Sequence, residues 1–398
     1  MLPRLCYIGP ELRDSIAGPG QLFRLLSSYP PNRLLTVQSP LADRQVRSTL
    51  HDPTVRLPSF PALRSPRART LYELTFLFGR SVWAAWLQHR LHHLPCDAVL
   101  SLAHGWLCEP ALEFARRQHV PFYLILHDHP RTTLPVPRAL AKYRLGRWRR
   151  LCRAAAACLC ISPFMAEHVQ RLTGRTSPVL YPGVAPGSRL AAWEAPSHDA
   201  PLTFAFAGSF HGPYRALLET LARELASSGH RLLLHSPDSH RLAAGPANRA
   251  VTDAGWVPPH DLAATLRAEA NVLFLPMSFL RADRSNMRVA FPSKLAEYCA
   301  AGRPVLVWGP PYSSACRWAK AHAGFAEVVD TLSISDLRQA LARLSADPHR
   351  RRRMGQESLR LALQFFSHEK TFATFIAALS NSDMRSQKPK PTGQPVTA

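Results

Sequence analysis

Lysine is nearly missing from this chain of 398 residues. It occurs at only six positions, 142, 294, 320, 370, 388 and 390, although lysine and arginine together number 49. Arginine thus carries almost all the positive charge, and with 27 acidic residues the formal net charge is +22. That balance invites anionic partners, but it also follows from a composition rich in alanine, leucine and proline that writes arginine by default. No nucleic-acid module accompanies the charge, so nucleic acid is not expected as a partner. Cysteine pairing is missing too. The eight cysteines form no C-x-x-C pair and sit mostly in apolar runs, which predicts buried free thiols, a reducing compartment and no zinc. No stretch approaches the ~20 apolar residues of a spanning helix. The start, MLPRLCYIGPEL, holds no long apolar h-region, and the expectation is a cytoplasmic protein. An Asp-x-Asp metal motif is absent, and no metal or cofactor is expected.

What is present is a hydrophobic content of 46%, ample for sizeable cores at a length that favours two domains. Apolar β-like runs alternate with helical patterns, which predicts an α/β fold of parallel sheets covered on both faces. In the first half the strands are read at 5–9, 34–38, 98–103, 122–126, 157–161 and 179–181, with helices near 21–28, 70–93, 109–119 and 163–173. A proline- and arginine-rich loop interrupts at 51–70. Residues 182–200, PGVAPGSRLAAWEAPSHDA, lose all periodicity and read as a linker. The alternation then restarts, with strands at 202–207, 231–235, 272–275 and 305–308. The expected organisation is an N-terminal unit over 1–185, a linker over 186–200 and a C-terminal unit over 201–366. A helix over 367–381 can pack back on the first unit, and the polar tail 382–398 reads as disordered. Two doubly wound units make a cleft, and ligands in such sheets bind beyond the carboxyl ends of the strands.

The stretch with most chemistry is FPSKLAEYCAAGRPVLV, residues 291–307. The 3.6-residue repeat predicts a helix over 292–301 with Ser293, Lys294 and Glu297 near one face. Gly302 suits the left-handed position after its last turn, and Pro304 prevents continuation. A helix start offers N–H groups and a positive pole to a phosphate, and Lys294 adds an ammonium there. Glu297 lies about one turn further, ~5–6 Å along the axis, where ribose hydroxyls would follow a diphosphate. The ordinary alternative is a Lys–Glu i,i+3 pair on a solvated face, worth tenths of a kcal/mol. In a chain that avoids lysine, Lys294 argues for a compact ammonium.

This stretch resembles the nucleotide-sugar motif of GT-B glycosyltransferases, in particular glycosyltransferase family 4. FAFAGSF (204–210) is similar to that family's first C-terminal strand and glycine turn. DAGWVPPHDLAATLRAEANVLFLP (253–276) looks like its segment beside the nucleobase, and ISPFMAEHVQRLTG with PVLYPGV resembles the end of its N-terminal domain. The resemblance implies two Rossmann-like domains facing each other across a cleft. It also implies a donor site with Gly208 and Ser209 near the diphosphate, Trp256 and Val257 beside the base, Ser293, Lys294 and Leu295 at the phosphates, and Glu297 on the ribose. Two features depart from the pattern. The family's first glutamate falls at Val289, and its clamping Arg and Lys fall near Ser209 and Tyr214. Arg215, one step away, or Arg288 with Arg281 and Arg284 can stand in for the clamp.

Two N-terminal strands end in polar groups at the edge that should meet the cleft, His104–Gly105 and His127–Asp128–His129. His127, His104 and Asp128 are the expected catalytic groups, since an unperturbed histidine titrates near neutrality and a neighbouring carboxylate can orient it or act as base. Gly18 and Gly20, in SIAGPGQLF, permit close backbone approach to a ligand. The basic, aromatic segment 137–153 reads either as a peripheral contact with an anionic membrane or as a solvated helix. The resemblance thus implies transfer of a sugar from a nucleotide-diphosphate sugar, with UDP the commonest base, to a hydroxyl on a glycan, a lipid-linked or a small-molecule acceptor. It implies retention at the anomeric carbon, no metal, and a place in polysaccharide or glycolipid biosynthesis. The alternative is a catalytically silent module that binds nucleotide or a partner protein.

Overall fold

The computed structural model describes residues 2–12, 18–39, 55–57, 66–188, 190, 193–195, 201–210, 212–237 and 248–380. Two six-stranded parallel sheets organise them. The first holds Leu5–Pro10 (β1), Leu34–Ser39 (β2), Val55–Arg56 (β3), Ala98–Leu102 (β4), Phe122–Leu126 (β5) and Ala157–Cys160 (β6). The second holds Thr203–Ala207 (β7), Arg231–His235 (β8), Val251–Asp253 (β9), Val272–Pro276 (β10), Val305–Trp308 (β11) and Ala326–Val329 (β12). Spatial order runs β3-β2-β1-β4-β5-β6 in one and β12-β11-β10-β7-β8-β9 in the other, the same winding twice. In each sheet the order reverses beside the first strand, and the carboxyl ends there form the natural ligand crevice. The central strands β1, β4, β5, β7 and β10 are buried along their whole length, which is why they read as continuous apolar runs rather than alternating ones.

Several elements differ from the sequence reading. Residues 179–181 form a single bridge, Cys160 to Val179, instead of a strand. The long helix read over 70–93 is two, Pro66–Phe78 and Arg80–Leu91, parted at Gly79. Strands β3, β9 and β12 went unread because they have two to four residues and weak alternation. The eight thiols are free, all but Cys96 being buried. The tail 382–398, and much of the segments 51–70 and 186–200, lie outside the described residues.

The last helix, His368–Ser380, leaves the second sheet and packs on the first. Phe375 and Leu379 are buried there, Tyr123 donates its hydroxyl proton to the Leu379 carbonyl at 2.7 Å, and Tyr29 meets Phe375 edge-on. The chain therefore passes between the halves twice, and the two passes are joined by Val184 N–H donating to the Phe366 carbonyl at 2.9 Å. Around them Tyr181, Phe291, Trp318 and Phe366 form an aromatic cluster with edge-on and tilted rings, and Trp318 Nε1 donates to the Tyr181 hydroxyl at 3.2 Å.

Candidate active site

A cavity of about 350 Å³ lies where the carboxyl ends of the two sheets face each other. Gln21, His127, Asp128 and Ile161 line it from the first half. Phe206, Tyr214, Asn286, Met287, Ser293 and Lys294 are among those that line it from the second. The helix that brings Lys294 there runs Lys294–Ala301, and every residue after Lys294 is buried, as expected of a helix apolar all round. Gly302 ends it at φ +67, and an added Cβ would meet Leu359 at 2.9 Å, so glycine serves both the turn and the packing. Tyr298 accepts from the Ala207 N–H at 3.0 Å and so ties this helix to the end of β7, beside Gly208 at φ +103.

Lys294 reaches over the Phe206 ring, its ammonium 4.9 Å from the centroid. Burial alone lowers its pKa to about 8, and among the described residues no carboxylate is paired with it. The i,i+3 pair with Glu297 is not formed. Glu297 is instead fully buried and pairs with Arg24, from the first helix Gly18–Ser27, at 2.6 Å between Nη1 and Oε1. That helix opens on Gly18, with Gly20 in its first turn; residues 13–17 of the glycine loop lie outside the described residues. Arg24 Nη1 also donates to the Gly183 carbonyl at 3.3 Å. Glu297 is not on the cavity wall.

The strand-end polar groups do converge. His104 Nε2 stands 3.3 Å from Asp128 Oδ2, and the His104 and His127 rings meet edge-on with centroids 5.8 Å apart. Burial, helped by the charge on His104, pushes the His127 pKa down to about 3, so this imidazole is neutral and does not titrate near neutrality as its sequence context suggests. Burial raises the Asp128 carboxyl, but the nearby His104 ring and the Asn286 hydrogen bond outweigh it and hold the group below its ordinary value. Asn286 Nδ2 donates to Asp128 Oδ1 at 2.9 Å, and Asn286 Oδ1 accepts from the His129 N–H at 2.8 Å.

Other expected site residues lie elsewhere. Leu295 is core, and Arg215 is exposed on the helix Pro213–Ser227, paired with Glu219 at 2.8 Å. Ser209, Trp256 and Arg288 are exposed, Val257 is half-buried against the core, and Arg284 stacks over Tyr312 at 4.9 Å. None of Arg281, Arg284 or Arg288 lines the cavity. Sequence reasoning missed Gln21, Arg24 and Asn286, and it named Tyr214 only as a position where a clamping residue would fall. For Asn286 the signal was its position between Arg284 and Arg288, in the segment leading into the Ser293–Lys294 start.

Two sheets of one winding, with helix start and strand ends meeting across a crevice, define a GT-B glycosyltransferase architecture. Residues 36–187 match the family model described as Glycosyltransferase Family 4, and residues 212–377 the model described as Glycosyl transferase-like. The chain belongs to the family 4-like glycosyltransferases and is an enzyme of that class. Among solved structures it is similar to sucrose-phosphate synthase from Thermosynechococcus elongatus, at 14% identity and a TM-score of 0.69, over 96% of this chain and 100% of that one. It is similar to Anabaena HepE in complex with UDP, at 13% identity and a TM-score of 0.64, over 95% and 99% of the two chains. A glycosyltransferase from Rickettsia africae gives 11% identity and a TM-score of 0.63, over 96% and 98%. No curated protein matches the sequence.

Proposed function

We propose that this enzyme transfers a sugar from a UDP-sugar to an acceptor hydroxyl, with retention and without a metal. The observation that carries the reading is the Lys294 ammonium, half-buried on the cavity wall at a helix start with no carboxylate paired to it among the described residues. A departing diphosphate is the ligand such a group suits, because the ammonium and the positive helix pole stabilise charge that grows in the transition state. Structural relatives solved with UDP and UDP-glucose support the choice of base. In this reading Glu297 is the ribose ligand, which requires donor binding to open its buried pair with Arg24 and bring the carboxylate to the cavity wall.

The groups across the cavity support retention. Neutral His127 and an Asp128 held below the ordinary carboxylate range are both weak bases toward a hydroxyl. The acceptor proton then passes to the departing diphosphate, on the face from which the acceptor attacks. His127 hydrogen-bonds the transferred sugar or acceptor, and Asp128 supplies negative charge opposite the developing positive charge on the sugar ring. A peripheral contact with an anionic membrane is part of the proposal. On the helix Ala141–Ala154, which also carries exposed Lys142 and Arg150, Tyr143 is exposed and stacks on exposed Phe78.

Lys294→Ala should weaken UDP binding ~10- to 100-fold in calorimetric titration, the scale of one charge-assisted contact. Unchanged UDP affinity together with unchanged turnover would refute the assigned donor site.

A further inference from the structure

The turn that carries His127, Asp128 and His129 receives support from both halves of the chain. From its own half, His104 meets Asp128, and the His129 ring accepts the Arg131 N–H at 3.2 Å to cap the short helix Pro130–Thr133. From the other half comes Asn286, which holds the Asp128 carboxylate with one end of its amide and the His129 N–H with the other. Such a two-ended contact fixes both the side chain and the backbone of the turn, which a single bond would not do. Asn286 lies on the short helix Arg284–Met287. The segment after it is pinned again, since Ser162, from the first half, donates its hydroxyl to the Val289 carbonyl at 2.7 Å. Ser314 bonds the next carbonyl, that of Ala290. Three residues later this same segment becomes the helix start that bears Ser293 and Lys294.

We infer that Asn286 is a positioning residue that sets the Asp128 carboxylate for transfer only while the two halves are closed on each other. The inference rests on the reading of Asp128 as the charge that faces the sugar ring. Among the described residues Asp128 has two close polar partners, His104 at 3.3 Å and Asn286 at 2.9 Å, and only Asn286 comes from the donor half. Parting the halves removes that partner and leaves His129 N–H without its acceptor. Occupation of the diphosphate site, a few residues along the same backbone, favours the arrangement in which both bonds form. Donor binding and assembly of the catalytic turn thereby become one event. The segment 286–294 links them covalently, and its bonds at the Val289 and Ala290 carbonyls are buried, which leaves it few alternative arrangements.

The test uses the full chain. Asn286→Ala removes both bonds, and Asn286→Asp places a second carboxylate against Asp128. With UDP bound, the His129 amide should exchange its hydrogen at least ~10-fold faster in Asn286→Ala than in the wild type, measured residue by residue. With the UDP-sugar that the wild type turns over fastest, kcat should fall ~10-fold or more in Asn286→Ala and further in Asn286→Asp. Donor KM and calorimetric UDP affinity should weaken too, because donor binding favours the same bonds, but by less than kcat falls, and the retained binding also shows that the variants fold. Wild-type kcat in both variants overturns the inference. A loss of UDP affinity with His129 exchange unchanged also overturns it, and assigns Asn286 to the donor pocket instead. Asp128→Asn separates the two layers. Full activity in that variant removes the catalytic reading of Asp128. An inactive Asp128→Asn beside fully active Asn286 variants removes only the inference drawn here.

Discussion

Lys294 is the residue on which pH should act. Burial lowers its pKa from 10.5 to about 8, so between those values the unfolded chain binds more protons than the folded one. Stability of the ligand-free protein should therefore rise with pH across that window, by the linkage between protonation and folding. A diphosphate beside the ammonium reverses the shift. UDP should then bind tightest below pH about 8 and lose affinity as pH climbs above it, with proton uptake on binding at pH about 9. Calorimetry in two buffers of different ionisation enthalpy reads that uptake, and Lys294→Ala should abolish it. The importance of Lys294 was legible in the sequence because a lysine stands out among so many arginines. The neutral state of His127 was not legible, since it depends on burial and on a second histidine brought from the preceding strand.

Between elements, the decisive contact joins the first helix to the donor helix. Arg24 and Glu297 are separated by 273 positions, and both side chains are almost wholly buried. Breaking such a pair strands a buried charge, so Glu297→Ala should cost ~3–5 kcal/mol in urea unfolding, whereas Arg24→Met with Glu297→Met should recover most of it. If the folded Glu297→Ala protein binds UDP as the wild type does, Glu297 is a structural partner of Arg24 and not a ribose ligand. The repeat placed Glu297 correctly one turn into the helix, but periodicity around one helix says nothing of which distant helix packs on it. Central strands were readable because burial on both faces makes them continuously apolar. The edge strands β3 and β12 were not, because each has only one neighbour and few residues.

The whole molecule presents a second surface besides the cleft. Phe78 and Tyr143 stack in solvent with centroids 6.1 Å apart, and Val82 and Leu145 are exposed on the same two adjoining regions. Arginines and Lys142 share the helix of Tyr143. Each cation near an anionic surface contributes ~1 kcal/mol, and an exposed aromatic pair adds apolar contact. The protein should co-sediment with vesicles containing phosphatidylglycerol but not with pure phosphatidylcholine. Phe78→Ala with Tyr143→Ala should reduce the bound fraction several-fold at low salt. Equal binding to both vesicle types, or none, removes the membrane contact from the proposal. Sequence alone left this segment undecided, because the exposed Phe78 comes from a helix some sixty positions earlier.

The closing helix, His368–Ser380, belongs to one half by chain order and to the other by contact. A hybrid enzyme made by exchanging halves with a relative would have to splice twice, once near Val184 and again near Phe366, and take the thirteen-residue helix His368–Ser380 from the parent that gives the opening sheet. A single splice would set Phe375 and Leu379 against a foreign surface and leave the Tyr123 hydroxyl facing a mismatched helix.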